Sequence, residues 1–304
     1  MAVTHPDRFP DEGFDLAPVA PKVGPFPLRD FLQAWWEELR PDAKMVFVSS
    51  GKGTLPLMET AGVIQFLGDS ELTDYHSPLG SDIDSPVDDL ATLIDRPVSL
   101  DLDSLPGEAA LALTESLSRT GLRPKMSEQT IAMVLQLPSS VDEYYVSVGK
   151  KHRHELRRKR RRYEDQIGAV TLRTDSGAGF GFDEFVRLHR IAPGGKASFM
   201  TGERHRFFSR LANQDGWRVD YLENEGVATA CLFGWTDGSD YYLYNSSFDP
   251  ALQAASPGLV LLIAMIEHSI SEGWGVFDFL KGDETYKAHL GAAPRQLFRV
   301  EASS

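Results

Sequence analysis

The chain has 304 residues, 42% of them hydrophobic, with a net charge of −13 and one cysteine. That length buries one large core or two medium ones, so two domains are expected. A single thiol, Cys231, excludes an internal disulfide framework and any multi-cysteine zinc site, and reads as a small buried hydrophobe in a strand. The longest apolar run, residues 259–266, has eight residues against the ~20 that span a bilayer. The first residues also lack the basic-then-apolar pattern of a signal peptide, so the expectation is a cytoplasmic protein with no membrane span.

In chain order, residues 1–25 are rich in Pro, Asp and Gly without periodicity and read as a flexible tail that orders on contact. Phe31, Leu32, Trp35, Trp36 and Leu39 recur at helical spacing before Pro41 and predict an amphipathic helix. A strand over 45–49, a turn at Gly51-Lys52-Gly53 and strands over 55–58 and 63–67 follow. The Gly-Lys-Gly turn lacks the long spacer and the following Ser/Thr of a Walker A loop, and a hairpin accounts for it. A polar loop over 68–76 carries Asp74, Tyr75 and His76, candidates for one wall of an interdomain cleft. A helix over 86–94, a strand over 98–102, a helix over 108–119 and a strand over 130–137 complete a first folded unit spanning 26–138.

The second unit, 139–304, opens at Ser140 with capping-box spacing to Glu143 and continues as a helix through residues 150–162. Those thirteen residues hold nine Lys/Arg against one Glu, +8, and leave −21 on the rest of the chain. Such concentration points to an anion. The run has no interleaved aromatics and the protein is acidic, so a phosphate-bearing metabolite, a nucleotide-sugar or CoA fits at least as well as nucleic acid. Arg153 and Arg157, four apart, share a helix face suited to clamping a phosphate. His152 and His154, two apart, face different ways, which disfavours a metal pair, and no metal is expected.

Helices over 182–189 and 203–213 flank a Gly194-Gly195-Lys196 loop. His189, alone between Leu188 and Arg190 on the first of them, reads as a core or surface residue rather than a catalyst. Three strands follow, over 217–223, 227–235 and 241–247, with hairpin signals between them and a middle strand apolar on both faces. Ser256-Pro257-Gly258 then offers an N-cap, a first-turn proline and a small residue, opening an apolar helix that ends near Gly273. The free amides at its start, at Gly258 and Leu259, suit a pyrophosphate. A strand over 277–280, the Gly282 turn, the crowded Asp283-Glu284-Thr285-Tyr286-Lys287 and a last strand over 296–300 close the chain.

This succession is the order of a GNAT acyltransferase domain. Ser256-Pro257-Gly258, Phe277-Asp278-Phe279-Leu280, Gly282-Asp283-Glu284 and Tyr286-Lys287 resemble the signature of the CelD-type (cellulose-biosynthesis) GNAT proteins. The arginine-rich run and Leu72-Thr73-Asp74-Tyr75 are similar to that family as well. Tyr286-Lys287-Ala288-His289-Leu290-Gly291 also resembles the lysine motif of Fem-type peptidoglycan aminoacyltransferases, which are built from two GNAT-like halves. The resemblance implies an α/β (α+β) fold of two GNAT-like units, each a mixed, mostly antiparallel sheet flanked by helices, the first a degenerate copy. It further implies acetyl-CoA or another acyl-CoA as co-substrate, with an amine of a sugar, nucleotide-sugar or other polar envelope or polysaccharide metabolite as acceptor. The usual GNAT phosphate loop carries a basic or Gln residue and several glycines. Here Ser256, Pro257, Gly258 and Leu259 stand in its place with fewer donors.

Acyl transfer to an amine needs a proton acceptor, donors for the oxyanion and an acid for the leaving thiolate. Asp278, between two phenylalanines, is a candidate base or a loop cap. Tyr286 is a candidate acid or a packing residue. Lys287 is a candidate for stabilising an oxyanion or phosphate, or a helix-surface lysine. Asp283 and Glu284 either complement a helix dipole or bind the acceptor's amine. Two other functions remain open: a Fem-like enzyme that takes its acyl group from aminoacyl-tRNA, and a non-catalytic GNAT-like binding protein whose cleft is filled with side chains.

Overall fold

The computed structural model describes residues 3–4, 8–93 and 99–303. By their contacts they form two compact units, Met1–Ala132 with Arg295–Ser304, and Met133–Pro294. The division differs from the sequence boundary at 138/139 because the final strand completes the sheet of the first unit.

In the first unit, β1 (Val3–Thr4), α1 (Arg29–Leu39), β2 (Lys44–Ser50), β3 (Gly53–Thr60), β4 (Val63–Phe66), β5 (Leu79–Gly80), α2 (Asp84–Leu93), β6 (Ser99–Pro106), α3 (Gly107–Arg119) and the start of β7 (Lys125–Gln136) follow in order. Residues 94 and 98, expected at the end of a helix and the start of a strand, lie outside the described residues. β2, β3 and β4 form an antiparallel meander whose first turn pairs Ser50 with Gly53. β4 and β6 then pair in parallel, Val63 opposite Ser99 and Ile64 opposite Leu100. α1 buries Phe31, Leu32, Ala34 and Trp35 and stops at Arg40, whose φ of 46° closes the helix before Pro41. Residues 8–25 of the segment expected to be a flexible tail are packed instead. Phe9 stacks on Phe14, Phe14 lies against Phe47, and Ala20 and Val23 are buried, so a few apolar anchors outweigh the Pro/Gly-rich composition around them.

The second unit runs from the end of β7 through α4 (Val141–Ser147), α5 (Gly149–Gln166), β8 (Leu172–Asp175), α6 (Phe180–Ile191), α7 (Gly195–Phe199), α8 (Gly202–Ala212), β9 (Trp217–Asn224), β10 (Val227–Thr236), β11 (Asp240–Phe248), a 3₁₀ turn at Pro250–Ala255, α9 (Pro257–Ser271), β12 (Val276–Lys281) and α10 (Thr285–His289). β8, β9, β10 and β11 are antiparallel neighbours, and β11 pairs in parallel with β12. Ser140 caps α4 by accepting the Glu143 N–H, but the expected single helix through the basic run is broken at Gly149, whose φ is 78°. α9 explains the eight-residue apolar run: it is buried nearly all round, with Leu261, Met265 and Ile266 fully covered. β13 (Ala293–Ser303) returns the chain to the first unit, antiparallel to β6, with Leu297 opposite Pro106 and Val300 opposite Leu102.

Each unit is therefore a mixed, mostly antiparallel sheet with helices packed on it, the fold class expected from the sequence.

Candidate functional site

In the second unit the parallel pair β11 and β12 opens. Their register runs from Asp240 opposite Val276 to Tyr242 opposite Asp278 and ends there, while β11 continues to Phe248 paired with β10. β12 bends just after, at Leu280, a non-glycine residue with a φ of 60°. Such a conformation costs about 1–3 kcal/mol and persists only where it is held. Asp278, buried to 1% exposure, holds it: its Oδ1 accepts the Leu280 N–H at 2.8 Å.

A cavity of ≈ 390 Å³ lies where the strands part. Cys231 and Leu232 of β10, Ser246, Ser247 and Phe248 of β11, Gly258, Leu259 and Leu262 of α9, and Glu284 and Tyr286 line it. A Cβ at Gly258 would sit 3.4 Å from the Phe248 ring, an ordinary contact, so the helix start lies close against β11. Burial pushes the Cys231 thiol well above its ordinary range, making it an inert wall rather than a nucleophile.

Tyr286 borders the cavity with its phenol pushed up to about 12, first by burial and then by the Glu284 charge. It is protonated at neutral pH, so it donates and does not act as a base. Lys287 is turned inward, 3% exposed, and its ammonium donates to the carbonyls of Lys281 at 2.7 Å and Gly282 at 3.2 Å and pairs with Glu284 at 2.8 Å. Its protons are thereby committed to the Gly282 turn and to Glu284, in place of the expected oxyanion or phosphate contact. Asp283 is exposed beside them.

Ser256 does not cap α9. It has a φ of 58°, makes no capping bond, and its Oγ instead accepts from Lys159 Nζ at 2.9 Å. Pro257 has no N–H, so the amides of Gly258 and Leu259 form the uncapped helix start. Sequence reasoning missed Lys159, which supplies from α5 the cation absent from the loop itself. The signal was its membership of the basic run, but only the crossing of α5 over α9 selects it. That crossing is fixed by Glu267 of α9, which accepts Arg160 at 2.7 Å and the Tyr145 hydroxyl at 2.6 Å. His152 stacks on His289 at 4.3 Å and ties α5 to α10.

Arg153 and Arg157 lie elsewhere on α5. Arg157 sits over the Tyr145 ring, and neither arginine lines the cavity. Asp74 and Tyr75 belong to the first unit. Asp74 is half-buried, and Tyr75 is fully buried against Phe26 with the Arg295 guanidinium over its ring. His189 is buried, with Nε2 2.9 Å from Asn245 Oδ1. Among the described residues no helix is long and apolar enough to cross a membrane, and no cluster of three or more His, Cys, Asp or Glu has metal-binding geometry.

Residues 150–288, within the second unit, match the family model of the acetyltransferase (GNAT) domain. No curated protein matches the chain. Among solved structures, it is similar to a conserved protein of unknown function from Bacteroides thetaiotaomicron (TM-score 0.63, 9% identity, 90% of each chain covered). It is also similar to L-PGS from Bacillus licheniformis (TM-score 0.62, 12% identity, 95% of this chain and 93% of that one). FemX is a third such structure (TM-score 0.57, 12% identity, 93% and 92%). At these identities the likeness is one of fold.

Proposed function

We propose that the GNAT domain is an N-acyltransferase that moves an acyl group, acetyl or longer, from acyl-CoA to an amine of a sugar, nucleotide-sugar or other polar metabolite of envelope or polysaccharide biosynthesis. The observation that carries this reading is the open, lined cavity at the parting of β11 and β12, reached by the phenol of Tyr286. The residues present fit the donor. Gly258 and Leu259 offer amides for phosphate and Lys159, held on the Ser256 hydroxyl, a cation, and the apolar walls from Leu232, Phe248 and Leu262 suit a thioester arm.

The roles divide accordingly. The amine nitrogen forms a bond to the thioester carbonyl carbon, the carbon–sulfur bond breaks, and Tyr286 gives its proton to the departing thiolate. Glu284 faces the same cavity and takes the proton the amine releases, while Asp283 beside it draws the ammonium form of the acceptor. Asp278 and Lys287 act as positioning residues, one holding the Leu280 bend and the other holding the Gly282 turn and Glu284. Arg153 and Arg157 remain candidates for acceptor contacts. A Fem-like enzyme using aminoacyl-tRNA is the second reading, favoured by the exposed cations of α5.

The test is a thermal-shift titration with acetyl-CoA. A ligand at ~100 times its dissociation constant stabilises the fold by about 2.7 kcal/mol. A rise in Tm supports the reading; no rise with any acyl-CoA overturns it and turns the search to aminoacyl-tRNA.

A further inference from the structure

We propose that Arg158, Arg161 and Arg162, on the outer face of α5, seat a phosphate monoester at the far end of the acyl donor, the 3′-phosphate that distinguishes CoA from 3′-dephospho-CoA. The inference rests on acyl-CoA being the donor. Its origin is the charge asymmetry: residues 150–162 carry +8 in a chain of net −13. Like charges three or four residues apart on one helix face destabilise it, an effect that an anionic ligand offsets.

Arg161 and Arg162 follow Arg158 by about one turn and, with Asp165 and Gln166, line a shallow depression on α5. Arg158 is committed to Glu155 through two hydrogen bonds, whereas its own chain leaves Arg161 and Arg162 largely uncommitted. Arg161 has no acidic partner among the described residues, and Arg162 reaches only the Ala254 carbonyl at 3.5 Å. The Ala254 contact matters most, because the 3₁₀ turn that ends at Ala255 leads directly into α9. Lys159, on the same helix, touches Ser256. The depression therefore abuts the start of α9, and a row of cations continues outward from Lys159 to Arg162 and Arg161. A guanidinium group fits a phosphate monoester through two parallel N–H donors, which an ammonium does not. Asp165 bounds the far side of the depression and disfavours a continuing polyanion. The absence of aromatic residues along the run likewise leaves nothing for bases to stack on.

The experiment is titration calorimetry with CoA and with 3′-dephospho-CoA, on the wild-type protein and on the Arg161→Ala/Arg162→Ala double variant. Both side chains lie at the surface, so the variant is expected to fold, as its unchanged melting curve will verify. Wild type is expected to bind CoA about tenfold more tightly than 3′-dephospho-CoA, in line with a charge-assisted contact. The double variant is expected to lose that difference while keeping its affinity for 3′-dephospho-CoA. Equal affinities in the wild type, or a variant that still discriminates, would overturn the proposal and leave the donor reading intact. Binding of neither ligand would overturn the donor reading itself. A variant that keeps CoA discrimination but loses affinity for a short single-stranded RNA would assign the arginine face to nucleic acid instead.

Discussion

The two units set a parallel pair of strands at the same point of the same succession, and they treat the gap that follows in opposite ways. In each, three antiparallel strands lead through a helix to a strand parallel to the third: β2, β3, β4, the short β5, α2 and β6 in one, β9, β10, β11, α9 and β12 in the other. Each parallel partner also carries one non-glycine residue at positive φ, Ser104 in β6 and Leu280 in β12. After β4, however, the 68–76 loop folds back into the gap. His76 stacks on Phe66, its N–H donates to the Ser104 carbonyl, and its Nδ1 lies 3.0 Å from Asp103. After β11 the chain leaves in the 3₁₀ turn instead, and the space stays open. The same backbone plan thus yields a core in one place and a site in the other, according to which loop occupies the gap.

That contrast can be broken experimentally. The largest effect is expected from Tyr75→Ala. Removing a fully buried ring should cost about 3–5 kcal/mol of stability in denaturant titrations and leave the donor affinity of the folded protein unchanged. A loss of donor affinity would show that the filled gap also binds. Gly258→Glu places bulk and negative charge in the open gap and is expected to weaken acetyl-CoA about 100-fold by calorimetry, equivalent to about 2.7 kcal/mol, with Tm held. Next comes Tyr286→Phe, expected to lower kcat about 30-fold without changing donor affinity. That is below the usual range for a positioned acid because a thiolate leaves readily. An unchanged kcat would reduce Tyr286 to packing.

Lys159→Met should weaken the donor by tenfold or less, about 1 kcal/mol, since the helix-start amides remain. The smallest expectation concerns pH. Tyr221 and Tyr286 are each pushed up to about 12, against an ordinary value near 10. The folded protein keeps protons that the unfolded chain loses, so stability is full below pH ~10 and declines as pH rises toward 12. Urea midpoints at pH 9 and 11 compare the two conditions directly.

Much of this plan is legible in the sequence wherever local chemistry is strong. The apolar α9 behind Pro257, the three-strand meander with its Gly-containing turns, and the helix α1 ending before Pro41 all follow from spacing and turn residues. β8 escaped notice because Leu172-Arg173-Thr174-Asp175 is short and polar, and only its pairing with β9 makes it a strand. The break at Gly149 escaped because a single glycine within a strongly charged helix leaves the periodicity intact. In the site, the residues at the helix start and the cluster after Gly282 were legible, but their directions were not. Lys287 reads as an oxyanion- or phosphate-binding cation or a helix-surface lysine until the Gly282 turn is seen to wrap its ammonium. Lys159 is one of nine similar residues until α5 crosses α9. What the sequence lacks in each case is a long-range contact.

The pairing of β13 with β6 bears on how the protein is made. The residues of β13 leave the ribosome only after all of 133–294, so the unit begun first cannot complete its sheet until the other has been fully translated. For that interval β6 exposes a bare edge, the situation in which nascent chains mispair or require a chaperone. Cleavage within β13 would likewise damage the half of the molecule that was synthesised first.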